Sequence, residues 1–142
     1  MKITQEQKEQ LIKMAQAARK MSYSPYSKFP VGAAILCDDG KIYSGTNVEN
    51  ASYGLTVCAE RNAIFTSVGE GAKHVVALAV YAGREGDTDL NGPCGACLQV
   101  IKEFADIDMP LILIRKNKEG KIESVEKTLR DFYPLPFSKE NL

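Results

Sequence analysis

The stretch TVCAER sets Cys58 two positions before Glu60 and three before Arg61, and NGPCGAC adds Cys94 and Cys97 as a Cys-x-x-Cys pair. Three such cysteines are too many for one disulfide and one short of a closed structural zinc site. Zinc takes four ligands, and its catalytic sites keep three from the protein and leave the fourth position to water. Cys58, Cys94 and Cys97 are therefore read as ligands of one Zn²⁺ per chain, with an exchangeable water completing the set. Three thiolates give that centre a negative charge in excess, which weakens its pull on the water. Arg61 can offset the excess by facing the sulfurs. Glu60 is then the group that carries protons between water and substrate.

Those side chains need elements to present them. Thr4 and Gln7 form a capping-box pattern, and Leu11, Met14, Ala15, Ala18 and Met21 follow at helical spacing, which predicts a first helix. VGAAILC (31–37) and KIYSGTN (41–47) flank Asp38-Asp39-Gly40, a hairpin signal. CAERNAIFTSV reads as a helix ending at Gly69, and HVVALAVYA (74–82) as a strand buried on both faces. CGACLQVIKEF follows Pro93 and reads as a helix, PLILIRK as another buried strand, and a turn over Asn117–Gly120 leads into KIESVEK. This alternation predicts a three-layer α/β/α sandwich with helices on both sheet faces.

Cys58 and Cys94 each fall at a helix start, where unpaired N–H groups and the positive dipole end favour thiolate over thiol. Cys94 and Cys97, three apart, share one face and can hold the same ion.

A chain of 142 residues suits one domain, taken as 1–142. Lys plus Arg equals Asp plus Glu at 18 each, so the basic excess of a nucleic-acid binder is missing. No apolar run approaches the roughly 18 residues of a membrane span. MKITQEQKEQ lacks the apolar core of a secretory signal. The expected compartment is the cytoplasm, where thiols stay reduced and cysteines serve metal, catalysis or packing. Cys37, inside an apolar strand, reads as core, and the single histidine, His74, as a loop or surface residue.

The motifs SPYSKFPVGAA, NVENA, CAER and PCGACLQV, in that order, resemble the small homotetrameric zinc-dependent cytidine deaminases over nearly the whole chain. The resemblance implies a mixed five-stranded sheet and hydrolytic deamination of cytidine or 2′-deoxycytidine within pyrimidine salvage. It also implies roles for individual residues. Cys58, Cys94 and Cys97 would hold zinc, and Glu60 would shuttle protons to N3 and the leaving amine. Asn47 and Glu49 would bind the ribose hydroxyls, and Phe29 would stack on the pyrimidine. The Ala59 backbone and Tyr53 would lie near the substrate or the subunit interface. Phe137, in LPFSKENL, would reach a neighbouring subunit's site, and Pro134 and Pro136 oppose a helix that would carry it back over its own domain. The family commonly has arginine directly after the second cysteine of the pair. This chain has Leu98 there, which supplies neither charge nor hydrogen bonds.

Three other readings stand beside this one. A related deaminase would act on another aminopyrimidine nucleoside such as blasticidin S. A structural zinc module would close the site with Cys37 or His74 and release no ammonia. A polynucleotide-editing enzyme is disfavoured by the zero net charge.

Overall fold

In the computed structural model, which describes residues 3–142, helix α1 (Gln5–Lys20) begins with a complete capping box. Thr4 Oγ1 accepts from the Gln7 N–H at 3.0 Å, and the Thr4 N–H donates to Gln7 Oε1 at 2.9 Å. Of its predicted apolar stripe, Leu11, Ala15 and Ala18 are buried, whereas Met14 is 38% and Met21 74% exposed. The stripe is narrow because the helix backbone lies almost on the sheet. A Cβ on Gly32 would come within 2.2 Å of the Ala15 carbonyl oxygen.

The sheet runs β2-β1-β3-β4-β5, from β1 (Val31–Cys37), β2 (Ile42–Thr46), β3 (Val75–Ala82), β4 (Pro110–Lys116) and β5 (Ile122–Thr128). β3 and β4 are parallel and the other pairs antiparallel, so the sheet is mixed. The β1–β2 turn is closed by Gly40, whose φ of 81° suits glycine, as the Asp-Gly signal predicts.

Alternate side chains of the central strands supply two separate cores. Ala34, Leu36, Ala79 and Ile112 pack against Leu11 and Ala15 of α1. Ile35, Leu78, Val80 and Leu111 pack on the other face against Ala63 and Ile64 of α2 (Ala59–Gly69) and Ile101 of α3 (Gly95–Phe104). Full burial of each Leu or Ile contributes about 1.5–3 kcal/mol, and helices on both faces are what make near-continuous apolar strands stable. The three-layer arrangement follows from these two packed faces. Cys37 sits in the second core, where burial raises its thiol pKa.

Two contacts fix the helix that bears Glu60. Asn62 Nδ2 donates to the Thr46 carbonyl at 2.8 Å, and Gly45 lets β2 approach α2 so closely that a Cβ would lie 2.4 Å from the Ala63 nitrogen.

A short helix, α4 (Leu129–Phe132), was not foreseen. The Thr128 N–H and hydroxyl both donate to Asp131 Oδ2, at 2.9 and 3.2 Å, across its first turn, and the S/T-x-x-D signature is legible in TLRD. Phe132 then packs where a Cβ on Gly92 would stand, 2.8 Å from its ring.

Candidate active site

The site is built where two helices begin. Cys58 is the N-cap of α2 and Cys94 the N-cap of α3, and neither sulfur is spent on capping its own helix. Both are free to face off the helix ends. Cys97, two residues inside α3, joins them from a buried position. The three sulfurs lie within 4.8 Å of one another, and Cys58 Sγ is 3.8 Å from Cys94 Sγ. A tetrahedral ion with Zn–S bonds of about 2.3 Å separates its sulfurs by about 3.8 Å. The donor set therefore fits zinc. Among the described residues, neither Cys37 nor His74 belongs to this cluster. Cys37 lies in the core, and His74 stands 3.9 Å from Asp106.

Electrostatics follow from the packing. Hydrogen bonds, first from the Cys97 thiol and also from Arg61 and Cys94, draw the Cys58 pKa down to about 5. Cys97 is raised in turn by that bond to Cys58 and by burial. Arg61 donates from Nη2 to Cys58 Sγ at 3.5 Å, and the sulfur raises the guanidinium pKa. Arg61 Nε is a buried donor without a protein partner. Leu98 takes no part in this balance and packs against the core.

Glu60, on the first turn of α2, is only 3% exposed. Burial, reinforced by the Cys58 charge, raises its carboxyl pKa to about 7. Such a group holds or releases a proton near neutrality.

A cavity of about 480 Å³ joins these groups to several residues marked in the sequence. Phe29, Asn47, Glu49, Cys58, Glu60 and Cys94 all line it, beside Val80 and Ala82 at the carboxyl end of β3. Glu49 accepts from the Tyr26 and Ser27 N–H groups at 2.9 and 3.1 Å and from the Ser27 hydroxyl. The Ser27 hydroxyl is the largest of the influences that keep its carboxyl pKa below the usual range. Asn47 is buried, with its oxygen and one amide hydrogen committed. Its Oδ1 accepts from the Val31 N–H at 2.9 Å and the Ser22 hydroxyl, and its Nδ2 donates to the Phe29 carbonyl at 2.9 Å.

Ala59, Tyr53 and Phe137 are not among the residues lining this cavity, although Ala59 stands between two that are. Ala59 is fully buried at the first position of α2. Tyr53 borders an adjoining depression with Tyr26, whose ring meets it edge-on at 5.7 Å. Phe137 does not line the cavity of its own chain, and its side chain is 58% exposed. The prolines do end α4 before the tail, yet the tail still returns to its own domain. Gln99 Nε2 donates to the Phe137 carbonyl at 2.8 Å, and the Phe137 N–H donates to the Tyr133 hydroxyl at 3.1 Å. Single hydrogen bonds can tether an extended chain where no helix forms, a possibility that proline counting leaves out.

Sequence reasoning missed Ser27, Thr56, Arg84, Asn91 and Gly92, which complete the cavity wall. Ser27 lies inside a quoted motif and was available to it. Thr56 opens TVCAER, and Asn91 and Gly92 open NGPCGAC, so they were available too; Arg84 sits on the loop between β3 and α3, outside every quoted motif.

Residues 5–112 match the model of the cytidine and deoxycytidylate deaminase zinc-binding region. A cytidine deaminase from Sporosarcina psychrophila is 50% identical over 94% of this chain and 93% of its own length. Another from Halalkalibacterium halodurans is 44% identical over 95% and 97%. The crystal structure of cytidine deaminase from Burkholderia pseudomallei superposes with a TM-score of 0.79 at 39% identity, covering 95% of this chain and all of that one.

Proposed function

The chain belongs to the cytidine and deoxycytidylate deaminase family, and from that premise we propose how its site converts cytidine or 2′-deoxycytidine and water to the uridine product and ammonia. The observation that carries the reading is Glu60, buried in the same cavity as Cys58 and Cys94 of a three-sulfur cluster that fits zinc. Zinc held by Cys58, Cys94 and Cys97 supplies the Lewis acidity that makes water nucleophilic near neutral pH.

The remaining work belongs to the side chains. Glu60 takes a proton from the attacking water and passes it to N3 of the pyrimidine; it then takes the second proton from the new 4-hydroxyl and delivers it to the 4-amino group, so that the C4–N bond breaks, C4=O forms and ammonia leaves. Each transfer needs a carboxyl poised close to the working pH, which its burial provides. Arg61 balances the thiolate charge at Cys58. Phe29 offers a ring face to the base. Glu49 accepts from a ribose hydroxyl, its bonds to Ser27 and Tyr26 holding the carboxylate ionised and in place. Asn47 keeps one amide hydrogen for the sugar, since its other bonds fasten Phe29 and Val31 around the cavity. Ala59 contributes an N–H from the unpaired first turn of α2.

The same reading assigns one catalytic domain over residues 1–142 and a homotetramer with shared sites. Phe137, exposed, anchored by its backbone and not among the residues lining its own chain's cavity, supports a contribution to a neighbour's pocket. So does the exposed pair Tyr26 and Tyr53 beside the cavity mouth. Among the described residues no helix is long and apolar enough to cross a membrane. We assign the enzyme to cytoplasmic pyrimidine salvage.

Ammonia release by the purified, zinc-loaded protein tests the reading, with cytidine and blasticidin S compared side by side. Turnover of cytidine that vanishes with Glu60→Gln is expected. Zinc binding without ammonia from either compound would return the chain to a structural module.

A further inference from the structure

Arg84 stands outside every motif of the sequence, yet it reaches the site from the loop after β3. Its guanidinium lies over the Phe29 ring at 5.2 Å from the centroid, and Nη2 donates to the Ser27 carbonyl at 3.0 Å. Between those two contacts lies Lys28, the single non-glycine residue with positive φ among the described residues, at 58°. That conformation disfavours an L-residue and persists where neighbours enforce it. Ser27 is held from both sides, with its N–H and hydroxyl on Glu49 and its carbonyl on Arg84. Its hydroxyl also accepts from the Phe29 N–H at 3.0 Å.

Arg84 is itself anchored. Its N–H donates to Asp87 Oδ2 at 2.7 Å, its carbonyl accepts from the Asp87 N–H at 3.0 Å, and the preceding Gly83 N–H donates to the Pro30 carbonyl at 3.1 Å. Arg19 of α1 bonds the Gly83 carbonyl from behind. The strut therefore runs from α1 through Gly83 and Arg84 to the loop that bears Phe29.

We propose that Arg84 is a positioning residue of the deaminase, clamping the Ser27–Phe29 loop so that Phe29 faces the base and Glu49 faces the sugar. The clamp rests on the roles given above to Phe29 and Glu49. A planar guanidinium does both jobs at once, covering a ring with its face and bonding a carbonyl through its edge. Arg84 touches no reacting atom, so it governs how well the nucleoside is held and leaves proton transfer alone.

The test is a double-mutant cycle of Arg84→Met and Phe29→Leu in the zinc-loaded enzyme, reading KM and kcat for cytidine. Losing a charged hydrogen bond and an exposed cation–π contact raises KM roughly tenfold in Arg84→Met, with kcat within about twofold and zinc content unchanged. Arg84→Lys, which keeps the charge without the fork, falls between, and serves if the methionine variant folds poorly. The double variant loses less than the sum of the two single losses, because the clamp acts in part through the ring. A raised KM in Phe29→Leu with a wild-type KM in Arg84→Met and Arg84→Lys, or strictly additive losses, overturns the clamp and leaves the deaminase reading intact. A Phe29→Leu enzyme with wild-type KM overturns the role of Phe29 and the clamp together. Failure of the wild-type protein to deaminate cytidine removes the reading on which both stand.

Discussion

The Tyr133 hydroxyl donates to Gln99 Oε1 at 2.6 Å, and this pair closes a ring of three hydrogen bonds with the Phe137 backbone. Gln99 lies on α3, the helix that carries Cys97 and is capped by Cys94, so the C-terminal tail is fastened to the element that presents two of the sulfurs. Tyr133→Phe removes the central hydroxyl and leaves the ring in place. Two lost bonds amount to about 1–3 kcal/mol of local stability. Amide exchange at residues 135–142 should speed up by about tenfold or more, while the melting temperature moves little. An unchanged exchange rate would mean the tail is held by something else.

Sharing of sites between subunits is tested by mixing. Phe137→Ala chains refolded together with Glu60→Gln chains should yield oligomers in which some sites keep both residues. Activity above that of either parent is the expected outcome. Mixed oligomers with no recovery, from individually inactive parents, would place the tail's action within its own chain, and a monomer by light scattering would remove sharing altogether.

Glu60→Gln preserves shape and removes the titratable proton. Fold and zinc content should survive while kcat falls by about 10²–10⁴-fold or further, since the one group serves several transfers. Metal analysis and steady-state kinetics on the same preparation decide it. Near-normal turnover would take Glu60 out of the mechanism.

The metal prediction is one zinc per chain, bound by three sulfurs and one lighter atom. X-ray absorption at the zinc edge reads this directly. Four sulfurs would contradict an open catalytic position, and the obvious fourth, Cys37, is committed to the core.

Gly45→Ala tests how the site is held from beneath. Its Cβ would sit 2.4 Å from the Ala63 nitrogen and 2.5 Å from the Ala59 carbonyl oxygen, so α2 must shift. Overpacking of this kind costs about 2–3 kcal/mol. The melting temperature should drop, and zinc occupancy with it, because Cys58 and Glu60 ride on that helix. Unaltered melting and zinc content would show that α2 does not depend on this close approach.

Local chemistry was legible in the sequence wherever a short spacing dictates it. The capping box of Thr4 and Gln7, the Asp-Gly hairpin, the unbroken apolar run of β3 and the cysteines at two helix starts all depend on neighbours within a few positions. The family motifs extended this to Phe29, Asn47 and Glu49, which do line one cavity with the thiols. The tertiary structure decided what depends on distant segments meeting. Met14 and Met21 fit a helical period but stay exposed, while Gly32, on a strand the helix pattern cannot see, brings the α1 backbone close to the sheet. Arg84 gains its place only because the end of β3 comes to rest beside the Ser27–Phe29 loop. Phe137 returns to α3 through single hydrogen bonds, which leave no periodicity in a chain. Glu60 owes its raised pKa to burial, and burial belongs to the assembled layers, not to the residue or its neighbours in sequence.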